Sequence, residues 1–335
     1  MATERVRLVA QPLAEVPWTQ LEARPGRSVF ASRAWLDFLV ASQGARPVVA
    51  HLLVDGEACG WFTGAVVRRL GLKVLGSPLR GWTTSWMGFD LDREVPADAL
   101  LGAARRLAFS ELGCVHLELM DRAVVAPDPL PRGFRVDRLP GWELRIDRDD
   151  DRLLEAMRPN GRRDVRRALR NGIVVEEVDP AAEPGFAAEY YAQVRTAFAK
   201  RGVSPTYPQR RVEQMIEHLQ PTGGLVLLRA RTEDGRPAAT GIFPGTPGGT
   251  AVFWMGASDP ELQSSLPNEA LMWQALRTWR DRGAVRFDFG GGGAYKRKYG
   301  GTPVEVPWFR VSRPAALEHG REALRRAARV ARRRS

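Results

Sequence analysis

Lysine is nearly absent from this chain. Of 335 residues, 50 are basic, yet lysine stands only at Lys73, Lys200, Lys296 and Lys298, and the other 46 are arginine. Where arginine is the default cation, a lysine marks a place that needs a compact ammonium. Two of the four share one short motif. Cysteine is scarcer still, with only Cys59 and Cys114. Both lie in apolar, strand-like stretches with no Cys or His partner at metal spacing. This argues against a disulfide framework and a zinc site, and fits a reducing compartment. The four histidines, His51, His116, His218 and His319, are scattered and lie in no nucleophile-type motif. Neither a metal nor a cofactor is expected. No early stretch reads as a signal peptide and no apolar run is long enough to span a bilayer, so a cytoplasmic protein is expected.

What is present is positive charge, +11 in net terms. Such a field favours polyanions: nucleic acid, anionic lipid or phosphorylated substrates. The length suggests two domains, 1–147 and 148–335. The first half reads as a strand (6–11), a helix capped by Ser32 and two strands joined at Asp55-Gly56, a strong hairpin signal. A strand at 72–77 follows. The stretch 78–90 has no clean period and reads as a loop, where Trp82 and Trp86 either wall a substrate site or cap a core. A helix (97–112), a strand (114–120), a proline-rich loop and a strand over 134–147 complete a mixed α/β unit.

The second half opens on a basic helix, MRPNGRRDVRRALRNG (157–172). Val165, Ala168 and Leu169 form its narrow apolar stripe. Arg162, Arg163, Arg166 and Arg167 stand among the arginines that cover the rest, and Asp164 is the only acid. Like charges at this spacing repel, and an anionic partner relieves them. Arginine forks match phosphate geometry. Helices at 184–201 and 208–219 follow, then strands at 224–231, 237–243 and 250–256. Asn268 is placed to cap a helix over 269–282.

That helix leads into VRFDFGGGGAYKRKYGG (285–301). Val285, Phe287 and Phe289 alternate with Arg286 and Asp288 as a strand. Four glycines then follow, Gly290, Gly291, Gly292 and Gly293. Glycine is costly in strand interiors but useful where a ligand approaches the backbone closely. Tyr295, Lys296 and Lys298 come next. A strand end, a bare backbone and concentrated positive charge suit an anionic ligand or an oxyanion. A tight hairpin with solvated charges is the plainer alternative. A final strand (304–311) precedes a basic amphipathic helix (314–335) suited to docking on the second domain, to touching anionic lipid, or to fraying.

The second half resembles the FemABX peptidyltransferases, built from two domains similar to GNAT acyltransferases. The likeness rests on RRDVRRALRNG, on MWQALRTWRDRG running into DFGG, and on YKRKYGG, which places Lys296 at that family's lysine. FASRAWLDFL and GSPLRGWTTSWMGF in the first half also look like family members. The resemblance implies an α/β fold of two GNAT-like domains, each a mixed, mostly antiparallel sheet flanked by helices. It also implies transfer of an amino acid from aminoacyl-tRNA to an amine of a peptide acceptor, such as a peptidoglycan precursor or a peptide antibiotic intermediate. Lys296 would then meet the acyl donor, helped by Lys298 and the glycine amides, and Asp288 is a candidate proton acceptor or a buried structural acid. The arginines of 162–167 would hold phosphates of tRNA or of a diphosphate-bearing acceptor. An acyl-CoA-dependent N-acyltransferase and a non-catalytic RNA-binding protein are the alternatives.

Overall fold

The computed structural model describes residues 5–313 except Leu70, Arg201 and Gly292, together with Arg325. In chain order its elements are β1 (Val6–Gln11), α1 (Trp18–Glu22), α2 (Arg33–Gln43), β2 (Arg46–Val54), β3 (Glu57–Arg69), β4 (Leu72–Ser77), β5 (Gly88–Leu91), α3 (Ala97–Arg106), β6 (His116–Met120) and β7 (Arg135–Arg145). Then come α4 (Asp150–Ala156), α5 (Pro159–Arg170), β8 (Val174–Glu177), α6 (Phe186–Ala199), α7 (Gln209–Leu219), β9 (Leu225–Arg231), β10 (Pro237–Pro244), β11 (Thr250–Val252), β12 (Met255–Ser258), α8 (Pro267–Asp281), β13 (Arg286–Gly291) and β14 (Thr302–Ser312). The chain falls into two compact units. The first takes the described parts of Met1–Pro17, Gln43–Leu139 and Glu305–Ser335, and the second takes Trp18–Ser42 and Pro140–Val304. The expected boundary stood at 147/148; the chain passes between the units at 139/140, and the α1–α2 segment is built into the second unit.

In the first unit β1, β2, β3, β4, β6 and β14 lie in that order. Neighbours are antiparallel except β4 and β6, which run parallel from Val74↔His116 to Ser77↔Leu119. Asp55 (φ 52) and Gly56 (φ 93) form the expected turn between β2 and β3. Both angles are positive, as the twist-matched two-residue hairpin requires. Leu100, Leu101 and Ala104 of α3 share one core with Leu8, Leu52, Phe62 and Leu117. Burying each such large side chain contributes about 1.5–3 kcal/mol. The stretch read as a loop over 78–90 ends in a strand, β5, which pairs with β3 from Gly60↔Leu91 to Thr63↔Gly88. The C-terminal helix expected over 314–335 lies outside the described residues apart from Arg325, whose guanidinium stands 3.3 Å from Glu118.

The second unit holds the antiparallel set β12-β10-β9-β8, with β13 lying between β7 and β11. The pairing β13–β7 is antiparallel and β13–β11 parallel. Ala270, Leu271, Ala275, Leu276 and Trp279 put one stripe of α8 into a core with Val226, Leu228, Phe243 and Phe287. The Trp279 indole N–H donates to the Phe243 carbonyl at 3.1 Å. Two expectations are corrected. The strand read over 250–256 is broken at Phe253–Trp254 into β11 and β12. Asn268 does not cap α8: that helix begins at Pro267 after Leu266 (φ 63), and the Asn268 amide donates to the Ser258 hydroxyl instead. Both units are mixed, mostly antiparallel sheets flanked by helices. Among the described residues no helix is long and apolar enough to cross a membrane.

Candidate active site

The break between β11 and β12 creates the site. β11 and β13 run side by side through Val252↔Asp288, and the Phe253 N–H still donates to the Asp288 carbonyl at 2.8 Å. Beyond that point the strands part. β12 joins β10, from Ile242↔Met255 to Ala239↔Ser258, while β13 continues along β7 to Gly291↔Gly141. The register of β13 shifts between Asp288 and Gly291. Gly290 supplies the bend at φ +73, and its N–H donates to the Asp288 carboxylate at 2.6 Å. A Cβ there would meet its nearest atoms at 3.4 and 3.6 Å, so glycine answers a conformational need and not a lack of room.

Residues Ala294–Tyr299 then wind into a 3-10 turn. The turn folds Lys296 back onto the strand end. Its ammonium donates to the Gly291 carbonyl at 3.0 Å and lies 5.5 Å from the centre of the Phe253 ring, a cation–π contact. Lys296 is only 8% exposed. Burial lowers its pKa below the ordinary lysine value, and the charge of nearby Asp288 pulls the other way. A buried amine with one fixed carbonyl partner keeps further N–H bonds to offer. A pocket of about 340 Å³ lies on the other side of Phe253 and Tyr299, walled also by Met272, with Thr240, Ser258, Gln263, Asn268 and Glu269 among its polar groups. A mainly apolar wall with a few placed polar atoms suits an organic group held in one orientation.

The arginine helix is docked on the same turn. The Arg158 N–H donates to the Lys298 carbonyl at 3.0 Å. A Cβ on Gly161 would come within 2.1 Å of that carbonyl oxygen, and one on Gly300 (φ +88) within 2.2 Å of the Ala156 oxygen. Only glycine allows this approach at either position. Lys298 bridges Glu269 of α8 at 2.6 Å and Asp164 of α5 at 3.3 Å. Val165 and Ala168 are buried as the stripe predicts; Leu169, the third member, is exposed. Arg163, Arg166 and Arg167 are exposed and Arg162 is half-buried. The Arg163 guanidinium touches Asp164 at 3.3 Å.

The strand end, the turn and α5 therefore bring Asp288, Gly290, Gly291, Lys296 and Lys298 together, with exposed Tyr295 on the pocket's rim. Gly292 lies outside the described residues. Trp82 and Trp86 belong to the first unit. Trp82 is buried; Trp86 packs beside Met120 and Trp308 and carries the Arg122 guanidinium 3.7 Å from its ring centre. The pocket residues Phe253, Ser258, Asn268 and Glu269 went unread in the sequence. Phe253 sat in what looked like an unbroken strand, Ser258 in the polar stretch just past it, and the others looked like an ordinary helix start.

Residues 156–299 match the family described as an acetyltransferase (GNAT) domain, a span that contains α5, the pocket and the lysine turn. Among solved structures, FemX superposes with a TM-score of 0.67 at 16% identity, covering 90% of this chain and 97% of that one. A conserved protein of unknown function from Bacteroides thetaiotaomicron VPI-5482 gives 0.60 at 9% identity, over 92% and 99%. A tandem GNAT protein from the clavulanic acid biosynthesis pathway gives 0.55 at 14%, over 92% and 99%. Among curated proteins none matches the sequence. At such identities the likeness is one of fold. The chain has the fold of FemX and of a tandem GNAT protein, and its second unit carries a GNAT acyltransferase-type domain.

Proposed function

We propose that the protein transfers an aminoacyl group from aminoacyl-tRNA to an amine of a peptide acceptor, such as a peptidoglycan precursor or a peptide antibiotic intermediate. The observation that carries this reading is the docking of the arginine helix α5 on the turn that holds Lys296. A polyanionic donor held along α5 would present its reactive end next to a desolvated amine. An aminoacyl ester is already activated, so the acceptor amine attacks the carbonyl directly. The new C–N bond forms, the ester C–O bond breaks, and the proton lost by the amine ends on the ribose oxygen. Catalysis then needs positioning and stabilisation of the tetrahedral oxyanion. Lys296, fixed by the Gly291 carbonyl, offers its remaining N–H bonds to that oxygen. Asp288 supports this site through the Gly290 bend and through its charge beside Lys296; its carboxylate already accepts the Gly290 N–H, which weakens the case for a proton acceptor.

The match to an acetyltransferase domain favours a second reading, an acyl-CoA donor at the same pocket. Such a donor brings a diphosphate, for which a helix N-terminus is the ready site. The N-terminus of α8 adjoins the pocket, but its first turn carries Glu269. A carboxylate there opposes a phosphate. The test offers purified protein two labelled donors separately, a mixture of aminoacyl-tRNAs and acetyl-CoA, with peptidoglycan precursors and small peptides as acceptors. Label transfer that RNase abolishes is expected. Transfer from acetyl-CoA alone overturns the aminoacyl-tRNA reading. Transfer from neither, with salt-sensitive tRNA binding, points to an RNA-binding protein.

A further inference from the structure

Lys298 stands two residues from Lys296, and the sequence suggests that both serve the substrate. Its surroundings differ. The Lys298 ammonium lies 2.6 Å from Glu269 Oε1 and 3.3 Å from Asp164 Oδ2, and its side chain is 14% exposed. The ring of Tyr299 lies 5.3 Å away on the same turn. The two acids come from different helices, α8 and α5, and the lysine from the turn between them. The main chain reinforces the contact through the Arg158 N–H on the Lys298 carbonyl and through the close seat of Gly161.

We propose that Lys298 is a positioning residue: a three-way ionic latch that fixes the 294–299 turn to α5 and α8 and so sets where the Lys296 ammonium stands. The inference rests on Lys296 acting in acyl transfer. A single 3-10 stretch has poor hydrogen-bond geometry and little rigidity of its own. Its internal main-chain bonds include Lys296 N–H to Gly293 and Gly300 N–H to Arg297. Outside anchors must therefore hold it. The latch also accounts for a lysine in a chain that otherwise uses arginine. In a place where the side chain is only 14% exposed, a compact ammonium with three hydrogens reaches both carboxylates without the bulk of a planar guanidinium. Because Asp164 and the phosphate-facing arginines share α5, the latch also ties the donor-binding helix to the lysine turn.

Wild type, Lys298→Met, Lys298→Arg and Asp164→Asn are compared by two measurements. The first is steady-state transfer from aminoacyl-tRNA; the second is the rate at which an amine-reactive reagent labels Lys296, read by mass spectrometry. Lys298→Met is expected to lower kcat by roughly 10- to 100-fold, the scale of an ångström-sized misplacement, with KM for the donor little changed. Labelling of Lys296 should rise severalfold as the turn loosens. Asp164→Asn should move both in the same direction but less, because its contact is the longer one. Lys298→Arg should retain the fold and recover only part of the kcat. A raised KM with normal kcat in Lys298→Met would place Lys298 on the substrate and overturn the latch. So would unchanged Lys296 labelling in a folded Lys298→Met; if that variant does not fold, unchanged labelling in Asp164→Asn decides the matter in the same way. If labelling responds as expected while Lys296→Met keeps its turnover, the latch stands and the acyl-transfer reading falls.

Discussion

The two units make the same turn and use it differently. Each has one parallel strand pair, β4 with β6 in the first and β11 with β13 in the second. At the end of each pair stands a buried aspartate, Asp121 just past β6 and Asp288 at the last paired position of β13, that accepts the N–H two residues on: from Ala123 at 2.7 Å and from Gly290 at 2.6 Å. In the first unit the other oxygen of Asp121 accepts the Phe89 N–H at 2.6 Å, so β5 consumes it. The Met87 N–H likewise closes on the Met120 carbonyl. In the second unit the strands part and leave a pocket of about 340 Å³, with Lys296 on the other side of Phe253. The same local contact thus lies beneath a paired strand in the first unit and beside an open pocket in the second.

The largest expected effect tests the second half of that contrast. Lys296→Met should lower kcat by about 10²–10³-fold, the range for loss of one oxyanion donor. The protein should still fold, since the change removes a buried charge whose ionised form burial disfavours. Steady-state kinetics beside a thermal melt would measure both; turnover near wild type would make the second unit's turn a scaffold too. Next in size is a pair of alanines. Gly88 has φ +127, and a Cβ there would lie 2.1 Å from Asp121 Oδ2, a side chain locked by two N–H bonds. Gly88→Ala should cost about 3 kcal/mol, on the scale of backbone strain joined to overpacking. A Cβ in Gly290→Ala meets only ordinary contacts, at 3.4 and 3.6 Å, and about 1 kcal/mol is expected from the left-handed backbone at φ +73 alone. Denaturant midpoints of the two variants check the ranking, and equal losses would dissolve the distinction between a filled and an open gap.

The sequence made much of this legible. Alternation at Val285–Phe289, the glycine run and the crowding of rare lysine located the strand end and its turn, because backbone freedom and a compact cation leave compositional marks. The Asp55-Gly56 hairpin and the narrow stripe of α5 were readable for the same kind of reason. The pocket was not. Its walls come from β12, α8 and the turn, and the break at Phe253–Trp254 carries no glycine or proline to announce it. What separates β11 from β12 is which neighbour each pairs with, a tertiary fact. Lys298 was legible as unusual but not as latched, because Asp164 and Glu269 are distant from it in sequence and ordinary in type. Trp82 and Trp86 attracted notice as aromatics beside small hydroxyl residues, a pattern that core and site share.

The smallest effects lie in pH, and they separate the two aspartates by readout. Burial pushes the Asp121 carboxyl up to about 7, against the Phe89 and Ala123 N–H bonds, which pull it down; Asp90 adds a smaller push upward. The folded state therefore holds that proton more tightly than the unfolded chain, whose carboxyl titrates near 3.8. Stability from this group is full below that value and is lost as pH rises through about 7. Asp121→Asn should flatten that slope in chemical denaturation and leave the pH profile of turnover in place. At the other turn the aspartate is read through its neighbour. Its charge raises the Lys296 pKa that burial has lowered, so Asp288→Asn should lower it further. If Lys296 acts as the ammonium, the alkaline fall in kcat/KM then moves to lower pH. A shift produced by Asp121→Asn and not by Asp288→Asn would reverse the roles of the two units, because only a carboxylate beside the working amine can move its titration.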